Sequence, residues 1–418
     1  MSGTSVAPIF ADLFCGAGGL SLGLELAGFR SVYGVDFDTH AIATYKANHP
    51  HAQVACKDIA EVTGEEIRDA AGGRKVDLIA GGPSCQGFST HGKRIEDDPR
   101  NFLFHHFVRI VREVRPKFFL MENVKGLLTY RKGYFRKLIE REFAKIGYRV
   151  ISKVVCAADY GVPQLRHRIV FFGTRLDAEL SFPNPTHVEG GSLFGFTPYV
   201  SVEDALSDLP LLEGDYESRE RRYKSSPRNE FQRFVRKTNA SRAVSLQFTK
   251  PLSALSAKIA RLVTEGAGLR SINPRLLPER FKKMRRIKDG SLRKDCTTLY
   301  FRVSRSRPSY TITCNFRNVA SGPFLHPIED RSFTYREAAR LMSFPDSYIF
   351  VGAMLPRQIG NAVPPLLARS LGRHLLKLLR ADAPDLSIVS DEQDWRTDGT
   401  LDTAFAIDDS NQHAELMA

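Results

Sequence analysis

The sequence has few cysteines, no long apolar run and no cluster of metal-ligand residues. No apolar run approaches the roughly 20 residues that a membrane helix needs. The first residues lack the basic end and apolar core of a secretory signal, so we expect a cytoplasmic protein without a membrane partner. The six cysteines are scattered and form no CxxC pair, which predicts reduced thiols and no metal site. The 42% hydrophobic content is typical of a globular protein, and 418 residues suffice for two domains.

Positive charge is concentrated in one part of the chain. The formal net charge is +13, and residues 217–308 contain 25 lysines and arginines against 7 aspartates and glutamates, a net of +18. The rest of the chain therefore carries a net charge of −5. An excess confined to one segment favours a polyanionic partner such as nucleic acid. The simpler alternative is a solvated basic surface with no specific partner.

Two kinds of apolar periodicity alternate between residues 9 and 174. Runs typical of strands are PIFADLF, SVYGVDFD, VDLIAGG, PKFFLMENV, YRVISKVVCAADY and RIVFFGT. Stretches with helical spacing are LSLGLELAGF, THAIATYKANH, NFLFHHFVRIVREV and YFRKLIEREFAKIG. The alternation predicts an α/β fold with a mostly parallel sheet covered by helices on both faces. Ligands of such sheets gather beyond the carboxyl ends of the strands.

The alternation weakens after residue 175 and returns near residue 309. Proline, glycine, serine and basic residues dominate 176–308, which predicts a second, smaller domain with short strand-like pieces such as TTLYFRV. Residues 309–381 contain a strand-like PSYTITC and helix-like TYREAARLMSF and PPLLARSLGRHLLKLLR. We expect them to complete the domain that 1–175 begin. Residues 382–418 have ten acidic residues and one basic residue, which predicts a disordered acidic tail.

Glycines and carboxylates follow the first strands. The stretch DLFCGAGG joins the first strand to the first helix, where glycines let a ligand approach the backbone and helix N–H groups are free. Asp36 and Phe37 follow the second strand and Asp58 follows the next, so Asp36 would bind ribose hydroxyls and Phe37 would stack on an adenine. Each is an ordinary loop residue when taken alone. Together, at successive strand ends, they favour an adenosine-containing ligand.

Cys85 lies in an unusual position for a packing residue. The stretch GGPSCQGFS follows the strand VDLIA, so the thiol is either a bystander in a turn or a nucleophile activated by N–H groups or cations. The stretch MENV places Glu122 at the same edge of the sheet. The stretch QLRHR adds Gln164, Arg166 and Arg168, and in a strand its two arginines share one face. They form either a binding pair or a surface charge pair.

Six stretches in this order resemble the motif set of the DNA (cytosine-5)-methyltransferases. They are DLFCGAGG, GGPSCQGFS, MENV, QLRHR, TYREAARLMSFPD and QIGNAVPP, spread between about residues 9 and 380. The resemblance implies the Rossmann-like sheet of a class I S-adenosylmethionine-dependent methyltransferase, with 176–308 as a smaller inserted target recognition domain. It also implies double-stranded DNA as substrate and S-adenosyl-L-methionine as cofactor.

The resemblance also implies the residues of the site. Cys85 would be the nucleophile and Glu122 the partner of the cytosine ring, while Arg166 and Arg168 would position the base and nearby backbone. The cofactor would contact Phe14, Gly16, Gly18, Gly19, Asp36, Phe37, Asp58, Ile59, Pro83, Leu103 and Asn361. DNA would contact Gln86, Ser89 and Gln164, with Arg270 and Arg275 as candidate base readers. One departure from the family pattern is Ser84, where proline usually precedes the cysteine; Pro83 still restrains this turn.

Three alternatives remain at the level of the sequence. A tRNA-directed branch of the same family shares Cys85 and Glu122, although the long basic insertion favours duplex DNA. A non-catalytic DNA-binding relative is disfavoured by the retained cysteine, glutamate and arginines, and a nicotinamide enzyme is disfavoured by the glycine spacing. The expected setting is bacterial: a monomeric modification enzyme that shares its DNA site with a cognate restriction endonuclease and does not bind it.

Overall fold

The computed structural model describes residues 6–83, 103–129, 133–191, 195–239, 241–278, 281 and 298–381. The stretch that carries Ser84, Cys85, Gln86 and Ser89 lies outside these ranges, and so does the predicted acidic tail. All of the predicted cofactor-binding residues lie inside them.

A seven-stranded sheet forms the centre of the described chain. Its strands lie in the order β3-β2-β1-β4-β5-β8-β6. Neighbours from β3 to β5 pair in parallel, whereas β8 is antiparallel to both β5 and β6. The bounds are β1 Ile9–Leu13, β2 Arg30–Asp36, β3 Gln53–Cys56, β4 Leu78–Gly81, β5 Phe118–Val124, β6 Arg149–Cys156, the two-residue β7 Gln164–Leu165, and β8 His167–Thr174. The predicted mostly parallel α/β sheet is confirmed.

Helices cover both faces of this sheet. The described helices are α1 Gly19–Ala27, α2 Thr39–Asn48, α3 Gly64–Ala70, α4 Leu103–Val114, α5 Gly126–Thr129, α6 Tyr134–Lys145, α7 Val202–Leu206, α8 Glu230–Arg236, α9 Ala254–Ala260, α10 Tyr335–Leu341, α11 Leu355–Asn361 and α12 Pro365–Ala381. Side chains alternate between the two faces of β1. Ile9, Ala11 and Leu13 pack with apolar residues of α3, α4 and α6, while Phe10 packs with those of α1 and α12.

The C-terminal helix α12 packs closely against α1. A Cβ atom at Gly23 would lie 2.3 Å from the Ala368 Cβ and 2.4 Å from the Pro365 carbonyl oxygen. On the other helix, a Cβ atom at Gly372 would lie 2.8 Å from the Ala27 Cβ. The two helices therefore need glycine at this contact, and residues far apart in the chain share one core.

The apolar residues of the inserted segment join that same core. Phe231, Val244, Ile259 and Leu269 are buried in the apolar cluster that also contains Phe10. Four short strands of this segment form two small two-stranded sheets, β9 His187–Val188 with β10 Thr197–Pro198, and β11 Glu220–Arg222 with β12 Ala243–Ser245. Among the described residues, the sheet and the inserted segment therefore share one continuous apolar core.

Two strand predictions differ from the structure. The stretch TTLYFRV contributes only a turn at 298–300 and an isolated bridge between Arg302 and Leu325. In PSYTITC only β13, Ser309–Tyr310, is a strand, and it pairs in parallel with β7. Tyr300, Val303 and Ile312 of these stretches are buried in the core, so tertiary packing accounts for part of the pattern that suggested strands.

Buried ion pairs join the inserted segment to the C-terminal part. Arg340 of α10 is fully buried and lies 2.5 Å from an Asp208 oxygen and 2.7 Å from an Asp346 oxygen. Because breaking a buried pair leaves an uncompensated charge, these contacts fix the two segments relative to each other. The stretch TYREAARLMSFPD therefore contributes Arg340 and Asp346 to the contacts that hold these segments together.

Candidate active site

The turn between β1 and α1 has an unusual backbone. Phe14, Gly16 and Gly18 have φ angles of 64°, 52° and 86°, in the left-handed region. The Gly16 N–H donates to Asp36 Oδ2 over 2.9 Å, which ties the turn to the end of β2. A Cβ atom at Gly16 would meet nothing within 4 Å of the described chain. The Gly16 backbone is therefore open to a ligand.

Gly18 and Gly19 are glycines for a different reason. A Cβ atom at Gly18 would lie 2.5 Å from His49 Nε2, and one at Gly19 would lie 2.4 Å from the Val363 carbonyl oxygen. Both positions are filled by the protein itself. Close packing therefore explains why positions 18 and 19 are glycine. At Gly16, by contrast, the space beside the backbone is open.

Asp36 lies at the end of β2 with both carboxylate oxygens in use. Oδ2 accepts from Gly16, and Oδ1 accepts from the Asp38 N–H over 3.0 Å. Burial raises the pKa of this carboxyl, while the main-chain N–H groups of Asp38 and Gly16 lower it. Beside it, Phe37 has 74% of its surface exposed. An exposed aromatic ring next to a fixed carboxylate suits the flat base and the hydroxyls of a nucleoside.

Asp58 and Ile59 form the next part of this edge. Asp58 follows β3 and its Oδ1 accepts from the Ala60 N–H over 2.8 Å, while Ile59 is buried. The Lys57 N–H donates to the Asp36 carbonyl oxygen over 3.1 Å, so the ends of β2 and β3 stay together. The structure thus brings the predicted nucleoside residues to one sheet edge.

Pro83, Leu103 and Asn361 come from three separate segments. The Pro83 carbonyl oxygen accepts from Asn123 Nδ2 over 3.0 Å. Leu103 begins α4 and is half-buried, and Asn361 ends α11 and is exposed.

Helix α11 is held against α2 by side chains that the sequence did not single out. Thr44 Oγ1 donates to Gln358 Oε1 over 2.6 Å. Asn48 donates to the Ile349 carbonyl oxygen over 2.7 Å and accepts from the Ile349 N–H over 3.0 Å. These contacts hold α11, and with it Asn361, close to α2, although the two helices lie far apart in the sequence.

Glu122 and Arg168 form a buried ion pair. Glu122 lies on β5 and Arg168 lies on β8, and Arg168 Nε is 2.8 Å from Glu122 Oε1. Burial lowers the pKa of Arg168, and the Glu122 carboxylate opposes that shift. The antiparallel register of these strands, with Glu122 beside Val170, brings the two side chains together.

The second Glu122 oxygen faces the end of β4. A Cβ atom at Gly82 would lie 3.4 Å from Glu122 Oε2. Gly82 and Pro83 lead directly into the stretch that carries Cys85, which lies outside the described residues. One carboxylate oxygen is therefore paired with Arg168, and the other lies where the cysteine-bearing stretch leaves the sheet.

Arg166 is buried among carbonyl groups. It donates to the carbonyl oxygens of Ile312, Gly360 and Ala362 over 3.0 to 3.2 Å. Burial lowers the pKa of Arg166 well below its usual range. In the described structure Arg166, directly before β8, therefore joins that strand to the C-terminal part.

Gln164 lies in the core of the described structure. Its side chain is fully buried and donates to the Leu341 carbonyl oxygen over 2.9 Å, while its Oε1 accepts from the Ile312 N–H over 2.9 Å. Both ends of the amide are used inside the protein. These contacts do not support the predicted DNA contact, which stays a prediction.

Arg270 and Arg275 lie on the surface of the inserted segment. Buried Leu269, Ile272 and Leu277 hold this stretch against the core, and the two arginines between them are exposed. Within the described ranges, no carboxylate lies within ion-pair distance of either arginine. Both are therefore accessible to a polyanion.

Asp12 is a residue of this region whose role the sequence reading missed. It is fully buried at the end of β1, and Oδ1 has no hydrogen-bond partner in the described chain. A carboxylate in an otherwise apolar strand, IFADL, is the signal that could have marked it.

The described ranges show neither a metal-binding cluster nor a membrane-spanning helix. They contain no group of three histidine, cysteine, aspartate or glutamate side chains arranged to hold a metal ion. Among the helices described, none has the length and apolar character needed to cross a bilayer.

The mostly parallel sheet with helices on both faces is the Rossmann-like fold of the class I methyltransferases. The family model of C-5 cytosine-specific DNA methylases matches residues 9–377. The chain therefore belongs to the C-5 cytosine-specific DNA methylase family.

Individual relatives agree with this assignment. The chain is 37% identical over 374 residues to the Type II methyltransferase M1.HphI of Haemophilus parahaemolyticus. The aligned region covers 88% of this chain and 87% of the relative. It is 39% identical over 387 residues to the Type II methyltransferase M.XorII of Xanthomonas oryzae, covering 89% and 85%.

Solved structures agree on the fold. A chain described as a prophage-encoded DNA modification methyltransferase of Escherichia coli superposes with a TM-score of 0.69 at 27% identity, covering 90% of this chain and all of that one. The Dnmt2 structure of Spodoptera frugiperda, at 19% identity and a TM-score of 0.55, covers 89% and 99% and shows the shared fold alone.

Proposed function

We propose that this protein transfers a methyl group from S-adenosyl-L-methionine to carbon 5 of a cytosine within a specific double-stranded DNA sequence. The observation that carries the proposal is the Glu122–Arg168 pair at the point where β4 leads toward Cys85. The open Gly16 backbone, the fixed Asp36 and the exposed Phe37 fit an adenosine-containing cofactor at the adjoining edge.

The cytosine ring needs activation because carbon 5 of an aromatic, electron-poor ring is a weak nucleophile. The Cys85 thiolate adds to carbon 6, and the electron pair displaced from the ring moves toward nitrogen 3. A protonated Glu122 donates to nitrogen 3 through Oε2, while Arg168 holds Oε1. S-adenosylmethionine, when bound, supplies an electrophilic methyl group. After methyl transfer a base removes the carbon 5 proton, and the electron pair of that bond re-forms the ring double bond as the carbon–sulfur bond to Cys85 breaks. The thiolate leaves, and nitrogen 3 returns its proton to Glu122.

DNA must be distorted for this chemistry, because a stacked base hides carbon 6 from a thiol. Extruding the base costs on the order of a few kcal/mol. Phosphate contacts by the basic segment 217–308 offset this cost, and its exposed side chains, Arg270 and Arg275 among them, read the base edges.

The proposed setting is modification of DNA in the bacterial cytoplasm by a monomer. Two relatives that align with 88% and 89% of this chain carry Type II methyltransferase names. On this proposal the protein protects a site that a cognate restriction endonuclease would otherwise cut, and the two enzymes share a sequence without binding each other.

Bisulfite sequencing tests the proposal directly. DNA incubated with the purified protein and S-adenosylmethionine is expected to gain 5-methylcytosine at one sequence. Cys85→Ala should abolish this gain, whereas Cys314→Ala, at an exposed cysteine, should keep it. DNA with 5-fluorocytosine in the site should trap a covalent complex. Full methylation by Cys85→Ala would overturn the assigned nucleophile.

A tRNA substrate is the competing possibility within the same fold. Radiolabelled methyl transfer to duplex DNA and to tRNA, measured side by side, separates the two. The DNA proposal predicts incorporation into DNA that exceeds incorporation into tRNA at equal concentrations. The reverse preference would replace DNA by RNA as the substrate.

A further inference from the structure

Asp12 is a buried acid that the proposed mechanism does not use. Its side chain is fully buried at the carboxyl end of β1, directly before the turn that carries Gly16. Oδ2 accepts from the Ser21 hydroxyl over 2.6 Å. Oδ1 has no hydrogen-bond partner among the described residues. A buried carboxylate oxygen without a donor is costly, so it is either protonated or compensated by a cation.

A chain of hydroxyl groups ends at this carboxyl. The Ser21 Oγ lies 2.9 Å from the Tyr45 hydroxyl, which lies 3.0 Å from Ser31 Oγ. Ser21 donates to Asp12, so Tyr45 donates to Ser21 and Ser31 donates to Tyr45. All three hydroxyls then point their protons toward the carboxyl. The network stabilises a negative charge on Oδ2, but it donates no hydrogen bond to Oδ1.

The surroundings of Asp12 disfavour its charge. Burial raises the pKa of Asp12 to about 7, the Ser21 hydrogen bond opposes this, and the negative charges of Asp36 and Glu25 add to it. The titratable groups that face Asp12 are Cys15, Glu25, Asp36, Tyr45 and Tyr348. Burial raises the pKa of Cys15, Tyr45 and Tyr348 well above the usual range, so these three remain neutral.

Asp12 acts on the same turn that the proposed cofactor site uses. Asp36, the proposed ribose partner, interacts electrostatically with Asp12, and so does Cys15 in the turn itself. Asp36 already accepts two main-chain N–H groups, whereas Asp12 has an oxygen to spare. A positive charge bound at this turn would therefore act most strongly on the protonation of Asp12.

We infer that Asp12 is a charge-sensing positioning residue of the cofactor site: it gives up its proton when the sulfonium-bearing methyl donor binds. This inference rests on the proposed function. The carboxyl O–H bond breaks, the proton goes to solvent, and the carboxylate is stabilised by the positive donor. S-adenosylhomocysteine keeps the adenosine and amino-acid groups but lacks the sulfonium charge, so it gains less from the ionised Asp12.

The consequence is discrimination between donor and product by charge. The ratio of donor affinity to product affinity should rise with pH through about 7 and level off above it, because ionisation of Asp12 then precedes binding. Donor and product otherwise differ by a single methyl group, which shape alone distinguishes weakly. Asp12 would thus favour release of the product after each turnover.

Calorimetry of the whole protein tests this inference without measuring activity. Binding of S-adenosylmethionine at pH 7 should show different apparent enthalpies in phosphate and in Tris, which corresponds to about half a proton released for a group titrating near pH 7. S-adenosylhomocysteine should show a smaller difference. Ser21→Ala, which removes a hydrogen bond that favours the carboxylate, should move the proton release to higher pH.

Two variants assign the proton to its source. Asp12→Asn should remove the dependence on buffer. Histidine is the other residue type that exchanges protons near neutral pH, and His49 lies 2.9 Å from Glu25, so His49→Gln is the matched control and should retain the dependence.

The outcomes separate the inference from the function on which it rests. Equal enthalpies in both buffers, together with clear binding of S-adenosylmethionine, would overturn the role of Asp12. So would proton release that persists in Asp12→Asn. Absence of any binding by the wild-type protein would instead contradict the proposed cofactor. The wild-type and Ser21→Ala measurements remain decisive if Asp12→Asn does not fold.

Discussion

At the scale of single residues, the two oxygens of Glu122 have different surroundings. Oε1 is paired with Arg168 over 2.8 Å, and Oε2 faces the end of β4. The pair fixes the carboxyl group in place, and Oε2 is left to meet a substrate. A polar group held in place in this way needs little rearrangement during a reaction, which is how preorganised sites lower barriers.

Glu122→Gln is expected to lower the methylation rate by about 10²–10⁴-fold. Glutamine keeps the shape and can donate a hydrogen bond, but it cannot supply a proton to nitrogen 3. Single-turnover methylation of a DNA duplex containing the site measures the effect.

The matched control for this variant is Glu189→Gln. Glu189 also pairs with an arginine, Arg307, over 2.8 Å, but both side chains are exposed and the pair lies on the surface. An exposed pair contributes little, so this variant should methylate like the wild type. A rate for Glu122→Gln within threefold of the wild type would contradict the assigned role.

At the scale of elements, the site depends on contacts between distant parts of the chain. Strand β1 supplies the turn, helix α11 supplies Asn361, and α12 supports both through its contact with α1. Arg166 reaches from the start of β8 to the carbonyl oxygens at 312, 360 and 362. A change that separates α12 from α1 should therefore disturb both stability and the cofactor edge.

Gly23→Ala is expected to destabilise the protein by about 1–3 kcal/mol. The new methyl group would lie 2.3 Å from the Ala368 Cβ and 2.4 Å from a backbone oxygen, so one of the two helices must shift. Urea denaturation followed by circular dichroism measures the change. Lys377→Ala, on the exposed side of α12, serves as control and should alter the free energy of unfolding by less than about 0.5 kcal/mol. Unchanged stability in Gly23→Ala would show that this contact is not as close as described.

At the scale of the whole molecule, charge is divided between two regions. The basic segment carries +18 and the remaining chain −5. The basic segment shares a continuous core with the sheet, and the inserted segment that contains it is held to the C-terminal part by the Arg340–Asp208 ion pair. The described part of the basic segment is therefore fixed relative to the sheet.

DNA binding is expected to weaken by about 10³-fold or more between 50 and 200 mM salt if roughly six to ten phosphates are contacted. Fluorescence anisotropy of a labelled duplex at several salt concentrations measures the slope. Replacing both Lys258 and Arg261, exposed at the end of α9, by alanine should reduce the slope by about 2. Lys137→Ala, exposed on α6 outside the basic segment, should leave it unchanged. An affinity independent of salt would contradict an electrostatic interface.

The sequence alone determined what depends on local pattern. Alternating strand and helix periodicity predicted the mostly parallel sheet, and the glycine turn and acidic strand ends predicted a ligand site at one edge of it. The positions of Asp36, Phe37, Asp58 and Glu122 followed because parallel strands end at one edge of the sheet.

Only the tertiary structure decided what depends on residues far apart in the chain. It placed Gln164 in the core against Leu341, paired Glu122 with Arg168, and packed Gly19 against the Val363 backbone. It also left one oxygen of Asp12 without a partner. Burial and pairing are properties of neighbours in space, and a sequence specifies those neighbours only through the complete fold.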